Sequence, residues 1–265
     1  MRLTFLGTGT SFGIPQIGCR CAVCTSADPR DRRNRTGVVI EADGATILVD
    51  TPPELRLALL EAGIASVDAV LYTHDHADHT HGIDDLRALS GHHRGTLPIY
   101  GPAGALERMR LKFDYIFDPL ARPIPGSSRP DVTLNALEAG VEATVAGQRV
   151  LPLRFNHGPS DVFGYRIGPL AYLTDVKAVP AAERAALQGL DVLVLNALFH
   201  RSHPTHLSIP EAVEAARNIG ARRTYLTHLT HETGHAALLA ELPPGVEPAY
   251  DGLVVTVQAP PSRIQ

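Results

Sequence analysis

The 265-residue sequence has no tryptophan, only three cysteines and, among 24 cationic side chains, only two lysines, Lys112 and Lys177. No apolar run approaches the roughly 18 residues that a membrane-spanning helix needs, which excludes an integral membrane protein of that kind. The stretch Met1–Thr10 lacks an apolar segment long enough for a secretory signal, so a cytoplasmic location is expected. A net charge of −4 gives no overall attraction to nucleic acid or to a membrane surface, so no stable nucleic-acid partner is expected. The arginine excess reads as compositional bias, because nothing in its spacing requires arginine. Apolar residues at 44% and charged residues at 20% are ordinary for a globular chain long enough to bury a core. What the sequence has in excess is histidine, with 13.

All three cysteines fall within six residues, as Cys19, Cys21 and Cys24. An odd number so close together suits a metal better than a disulfide framework, and a reducing compartment keeps thiols free to ligate. Three incidental thiols are the plain alternative. Structural zinc takes four ligands, so a histidine from elsewhere is expected as the fourth.

The periodicity predicts an α/β chain, with one domain over 1–265. Leu3–Leu6 reads as a strand running into the loop Gly7-Thr-Gly9-Thr-Ser-Phe-Gly13. That loop lacks dinucleotide-binding spacing, and its glycines let backbone approach something closely. Val38–Glu41 and Thr46–Val49 form a hairpin. Pro53–Ala62 is helical, with Leu55, Leu59 and Leu60 on one face and Gly63 as the stop. Strands are expected at Asp68–Thr73, Leu97–Tyr100, Val132–Leu137, Val141–Val145, Gln148–Phe155, Val162–Ile167, Leu170–Leu173, Val192–Leu195, Thr224–Leu226 and Leu253–Val257. Helices are expected at Ile83–Leu89, Pro102–Lys112, Pro180–Leu187, Ser208–Ile219 and His235–Leu242. In the Ser208 helix, Ser208 caps, Pro210 starts, Glu211 completes the cap and Gly220 stops. Residues 113–130, rich in proline and glycine, read as a loop or lid.

Directly after the apolar strand ending at Thr73 comes His74-Asp75-His76-Ala77-Asp78-His79. Imidazoles and a carboxylate in this H-x-H-x-D-H pattern offer ligands on two sides of a strand end, enough for two metals. Three later strands end the same way, at His157, Asp175 and His228. Each alone could be a satisfied polar residue. Their repetition at equivalent positions points to one shared site.

Through His74-x-His76-x-Asp78-His79, then His157, Asp175 and His228 in order, the sequence resembles the metallo-β-lactamase superfamily over nearly its whole length. The resemblance implies a four-layer αβ/βα sandwich of two mixed sheets. It implies that His74, His76 and His157 hold one divalent metal, that Asp78, His79 and His228 hold a second, and that Asp175 bridges them. The metals would be Mn²⁺ or Zn²⁺, with Fe²⁺ also compatible with these ligands. Within the superfamily, Phe5-Leu-Gly-Thr-Gly-Thr-Ser11 and His206-Leu-Ser-Ile-Pro-Glu211 resemble the phosphodiesterase branch. Cys19-x-Cys21-x2-Cys24 resembles the PhnP-like family of carbon–phosphorus lyase accessory phosphodiesterases. There a structural Zn²⁺ takes its fourth ligand three residues past the last catalytic ligand, here His231.

The resemblance implies hydrolysis of small cyclic phosphodiesters, such as 5-phosphoribosyl 1,2-cyclic phosphate or 2′,3′-cyclic nucleotides, by a hydroxide held between the metals. His206 and Asp78 are then the expected catalytic residues, with His206 protonating the leaving oxygen; capping of the following helix is the alternative role for His206. A homodimer is also implied. Two other readings share much of this pattern: a tRNase Z-like RNA 3′-processing endonuclease and a PqqB-like non-hydrolytic cofactor-biosynthesis protein. A thioester hydrolase of the glyoxalase II type would need neither the cysteines nor His206. The basic run Arg30–Arg35 reads as a solvated loop with internal ion pairs or, alternatively, as a phosphate grip. His81 is expected just outside the metal ligands, and His92, His93 and His235 at the surface or in structural roles.

Overall fold

The computed structural model describes residues 1–92, 95–118, 120 and 125–258. Alternating side chains build its first half. In β1 (Arg2–Gly7), Leu3 and Phe5 face one side and Leu6 the other. β2 (Gly37–Ala42) and β3 (Ala45–Val49) repeat this, with Val38, Ile40, Ile47 and Val49 opposed to Val39 and Leu48. Strands buried on both faces read as near-continuous apolar runs, as these do. Asp43 and Gly44, both at positive φ, turn the chain between β2 and β3, as a tight hairpin requires.

Three parallel strands extend this hairpin: β4 (Ala69–Leu71), β5 (Leu97–Pro102) and β6 (Val132–Leu137). The second half follows the same plan. β7 (Ala143–Val145), β8 (Gln148–His157), β9 (Ser160–Ile167) and β10 (Leu170–Leu173) are antiparallel; β11 (Val192–Asn196), β12 (Arg223–Thr227) and β13 (Val246–Pro248) continue in parallel. β14 (Val254–Thr256) returns to pair with β1. The result is two seven-stranded mixed sheets, ordered β14-β1-β2-β3-β4-β5-β6 and β13-β12-β11-β10-β9-β8-β7.

Leu3, Phe5, Ile40, Ile47, Tyr165, Tyr172 and Val194 fill the space between the sheets. Outside the first sheet lie α1 (Leu55–Glu61), α2 (Ala77–Thr80), α3 (Leu86–His92), α4 (Ala103–Lys112) and α5 (Asp114–Phe117). Leu55, Leu59, Leu86, Leu106 and Met109 pack there with Val39 and Leu48. Outside the second sheet lie α6 (Ala181–Ala186), α7 (Ile209–Ile219) and α8 (His235–Glu241), and Ile209, Ala212, Ile219 and Leu238 meet Leu193 and Leu195. This is the four-layer α/β sandwich that the family resemblance implies. Among the described residues, no helix is long and apolar enough to cross a membrane.

Helix α7 begins and ends as its sequence dictates. Ser208 and Glu211 form a reciprocal capping box, worth about 1 kcal/mol, and Gly220 closes the helix at φ 73°. Gly7 and Gly9 make the close approach expected of them. A Cβ on Gly7 would lie 1.9 Å from the Arg35 carbonyl oxygen, so only glycine fits.

Several expectations are corrected. Leu60 is 64% exposed, because the buried stripe of α1 runs through Leu55, Ala58 and Leu59, about 100° around the helix from it. Residues Ile83–Asp85 form a 3₁₀ turn ahead of α3 rather than its first turn. The expected loop at 113–130 contains α5; residues 119 and 121–124 lie outside the described residues, as does His93. Strand β13 was not anticipated: Val-Glu-Pro is too short to show a period.

Candidate metal centre

Five strand ends meet at one edge of the sandwich. β3 runs into Asp50, β4 into the segment Thr73–His79, β8 ends on His157, and β10 and β12 lead into Asp175 and His228. Asp50, Asp175 and His228 adopt left-handed φ values of 62°, 59° and 57°. Such backbone costs on the order of 1 kcal/mol or more per non-glycine residue and persists where surrounding contacts hold it.

The side chains form interlocking sets of donor atoms, each set within 4.8 Å: His74, His76 and His157; His74, His79 and Asp175; Asp78, His79 and His228. Asp175 connects them. It lies 3.3 Å from His79 Nε2 and 3.2 Å from His228 Nε2. The outer ring nitrogens are pinned. His79 Nδ1 donates to Asp50 at 2.7 Å, His157 Nδ1 donates to the Thr205 carbonyl at 3.1 Å, and His74 Nδ1 lies 3.0 Å from the Thr73 hydroxyl. That hydroxyl donates in turn to Asp50 at 2.9 Å. A proton fixed on Nδ1 leaves the Nε2 lone pair facing inward, as in metal-ligating histidines. Nε2 of His74, His79 and His228 is buried without a hydrogen-bond partner. Buried orphan acceptors are costly unless something electrophilic sits between them.

Charge agrees with this. Burial pushes His74 well below the usual imidazole range, to the neutral form a metal needs. His79 goes the other way. Burial opposes its charging, but Asp175, Asp78 and Asp50 outweigh burial and hold its pKa well above the ordinary value. Three carboxylates around one fully buried imidazole make a pocket that calls for cationic charge. The residues present therefore fit divalent metals, which the fold family implies.

A cavity of about 260 Å³ opens on this cluster, lined by Ser11, His76, Asp78, Asp175, His206 and His228 among others. His206 places Nε2 2.9 Å from Asp175 Oδ1 and Nδ1 2.8 Å from the Thr205 hydroxyl. Its ring stacks on His228 at 4.9 Å. Its loop is held by Lys177, whose Nζ donates to the His206 carbonyl at 3.3 Å and to Glu211 at 2.9 Å. The other lysine, Lys112, donates to Asp75 Oδ2 at 2.7 Å, bracing the segment that carries His74 and His76. The chain's two lysines thus brace two site loops. Sequence reasoning missed that, and missed Asp50 as well. The available signals were the rarity of lysine and an aspartate at a strand end, the pattern already used for Asp175.

Cys19, Cys21 and Cys24 converge on His231. Their Sγ atoms lie 3.3, 3.4 and 3.4 Å from its Nδ1. Tetrahedral zinc with ordinary Zn–S and Zn–N bonds would put sulfur and nitrogen roughly 3.5 Å apart. The backbone N–H of Cys24 donates to Cys21 Sγ and pulls that thiol down to about 6, towards the thiolate that ligates.

Other expected residues lie elsewhere. His81 points to solvent, edge-on to Phe113 at 5.7 Å, because it follows the last turn of α2 on the outer side. His235 is buried, its ring against Tyr250. The solvated, internally paired loop expected of the basic run holds only in part. Arg30 binds Asp28, Arg35 binds Glu54, and Arg33 is buried against Thr8 and the Ala249 carbonyl. None of these arginines lines the cavity at the metal cluster.

Residues 45–229 match the family model described as a Beta-lactamase superfamily domain, well over half of the chain. The chain belongs to the metallo-β-lactamase superfamily. It is a PhnP-like member: its structure superposes on that of a new diphosphatase from the PhnP family with a TM-score of 0.88 and 38% identity, covering 97% of this chain and 98% of that one. An octanoyltransferase of Porphyromonas gingivalis is 39% identical over 268 residues, spanning all of this superfamily member but only 53% of the relative. The chain thus accounts for about half the length of that protein. A ribonuclease Z of Myxococcus xanthus is 29% identical over 315 residues, covering 96% of this chain and 97% of the relative.

Proposed function

We propose that this PhnP-like protein is a metal-dependent hydrolase of small phosphodiesters, with cyclic ribosyl phosphates and 2′,3′-cyclic nucleotides as its substrate class. The observation that carries the reading is Asp175 joining two clusters of metal-type donors, with His206 hydrogen-bonded to it at the wall of a small cavity. His74, His76 and His157 would hold one metal, and Asp78, His79 and His228 the second, with Asp175 between. Bound there, divalent ions would supply Lewis-acid charge to the phosphoryl oxygens and lower the pKa of water.

The chain's own residues do the rest. Water oxygen forms the new P–O bond, the P–O bond to the leaving oxygen breaks, and the leaving oxygen needs a proton. His206 faces the cavity, held by Thr205 and by the Lys177-braced loop, and supplies that proton. Asp50 keeps the His79 ring oriented. The cavity of about 260 Å³ has room for a small phosphoester. A second reading, hydrolysis of a diphosphate bridge, is favoured by the 38% identical diphosphatase of the PhnP family. Both place a phosphorus atom between two oxygens.

The test is hydrolysis by metal-loaded protein of bis(p-nitrophenyl) phosphate, ribosyl cyclic phosphate, 2′,3′-cyclic AMP, a dinucleoside diphosphate and precursor tRNA. Turnover of the cyclic esters above the diphosphate and the tRNA is expected. Preference for the diphosphate would replace the first reading with the second, and no turnover of any would overturn both.

A further inference from the structure

A second cavity, of about 320 Å³, adjoins the first and shares Ser11, His206 and His228 with it. Its character differs. Phe12 stands on one side, 70% exposed although it belongs to one of the largest apolar side-chain types. Its loop is nevertheless built. The Phe12 N–H donates to the Thr10 hydroxyl at 3.3 Å, the Gly13 N–H to the Thr10 carbonyl at 2.9 Å, and Ile14 pairs with Arg33 through both backbone bonds. Phe199 lies among the other lining residues, with the Arg201 guanidinium 3.7 Å from its ring centre. Gln16, Thr230 and Glu232 supply polar groups. An exposed aromatic face on a fixed turn, with hydrogen-bonding groups nearby, suits a flat heteroaromatic ring.

We propose that this cavity is the leaving-side subsite and that Phe12 stacks a nucleobase there, which makes nucleoside phosphodiesters the preferred substrates. The inference rests on the phosphodiesterase reading, because His206, the proton donor to the leaving oxygen, is among the residues common to both cavities. A substrate with its phosphorus at the metal cluster and its leaving oxygen at His206 directs the attached nucleoside towards Phe12. Base–aromatic stacking tolerates any base, so selection between bases would fall to Gln16, Thr230 and Glu232.

Because the chain has no tryptophan, F12W places a single indole at the subsite. Metal-loaded F12W is titrated with adenosine 3′-monophosphate and with ribose 5-phosphate. The nucleotide is expected to shift the emission and to saturate at a concentration about tenfold lower, the factor that stacking of this kind gives. In parallel, Phe12→Ala and Phe12→Leu are expected to lower the ratio of kcat/KM for 2′,3′-cyclic AMP over ribosyl cyclic phosphate by about tenfold; Leu keeps apolar bulk without a stacking face. Equal response to both ligands, or an unchanged ratio, overturns the subsite. If no phosphodiester is hydrolysed, the function proposed above fails, while the F12W titration still decides whether the cavity binds a nucleobase.

Discussion

Among the described residues, two clusters of metal-type donors are built in opposite ways. The first cluster draws on strand ends from both sheets, and His74, His79, His157, Asp175 and His228 are all buried. Its positions are fixed by the three apolar layers between and outside the two sheets. The cysteine cluster hangs on a loop. No strand and only a 3₁₀ turn lies between β1 and β2, and Cys19, Cys21 and His231 are partly exposed. Folding energy therefore flows in different directions. At the strand ends the sheets position the ligands; at the loop, converging thiols and an imidazole would position the chain. The same loop carries Ser11 and Phe12 to the cavity walls, and His231 follows His228 by three residues, so the second cluster couples to the first through the loop and through that segment.

The largest expected effect tests the strand-end cluster at its junction. Asp175→Ala removes the contact to both triads and to His206, so activity of metal-loaded protein should fall by on the order of 10³-fold or more, with less metal bound per chain. The melting temperature of the metal-free protein should fall modestly, since, against burial, His228, His79 and His206 hold this carboxylate ionised and its loss leaves those buried rings without their partner. A severe loss of melting temperature would mean that this cluster, too, organises the fold. Next in size is His206→Ala, expected to keep the full metal content while turnover drops by about 10²- to 10³-fold. Full occupancy with an unchanged rate would restrict His206 to a structural role. Replacing Cys21 by Ser should shift the balance from activity to stability. It should cost about one metal per chain, lower the melting temperature and open the 15–28 segment to protease, while activity falls less than tenfold. Equal metal content in Cys21→Ser and wild type would remove the proposed structural zinc.

The two regions also differed in how plainly the sequence announced them. An apolar run ending in histidine or aspartate is a local pattern, so His74, His157, Asp175 and His228 could be picked out before any fold was known, and the hairpin and the capping box of α7 likewise. Asp50 ends β3 in the same way, yet one aspartate after one strand has no partner in sequence. Its meaning comes from His79, 29 residues away, and Thr73. Lys112 and Lys177 are similar cases. Each acts through a loop that is close in space and distant along the chain. Phe12 was opaque for another reason: aromatic residues are usually buried, and only the folded loop shows this one facing a cavity. His81 was misplaced because adjacency in sequence fails on a helix, where the next residue turns about 100° away.

The smallest expected effect lies beneath the cysteine loop. His235 begins α8, its backbone N–H donates to Asp31 at 2.6 Å, and its ring is buried against Tyr250. Burial, then the nearby Arg33 and Arg30, push its pKa from 6.5 down to about 4, against the weaker opposite pull of Asp28 and Asp31. The fold therefore prefers neutral His235, whereas the unfolded chain protonates it near pH 6.5. Its contribution to stability is complete above pH 6.5 and is lost as pH falls through about 4. His235→Phe keeps the backbone bond to Asp31 and the ring contact but cannot be protonated. Denaturant midpoints measured at pH 7, 5 and 4 should fall more steeply in wild type than in this variant, and the difference should be confined to that window. Parallel slopes would show that the histidine is solvated, and that the loop's anchor is Asp31 and the cysteine cluster alone.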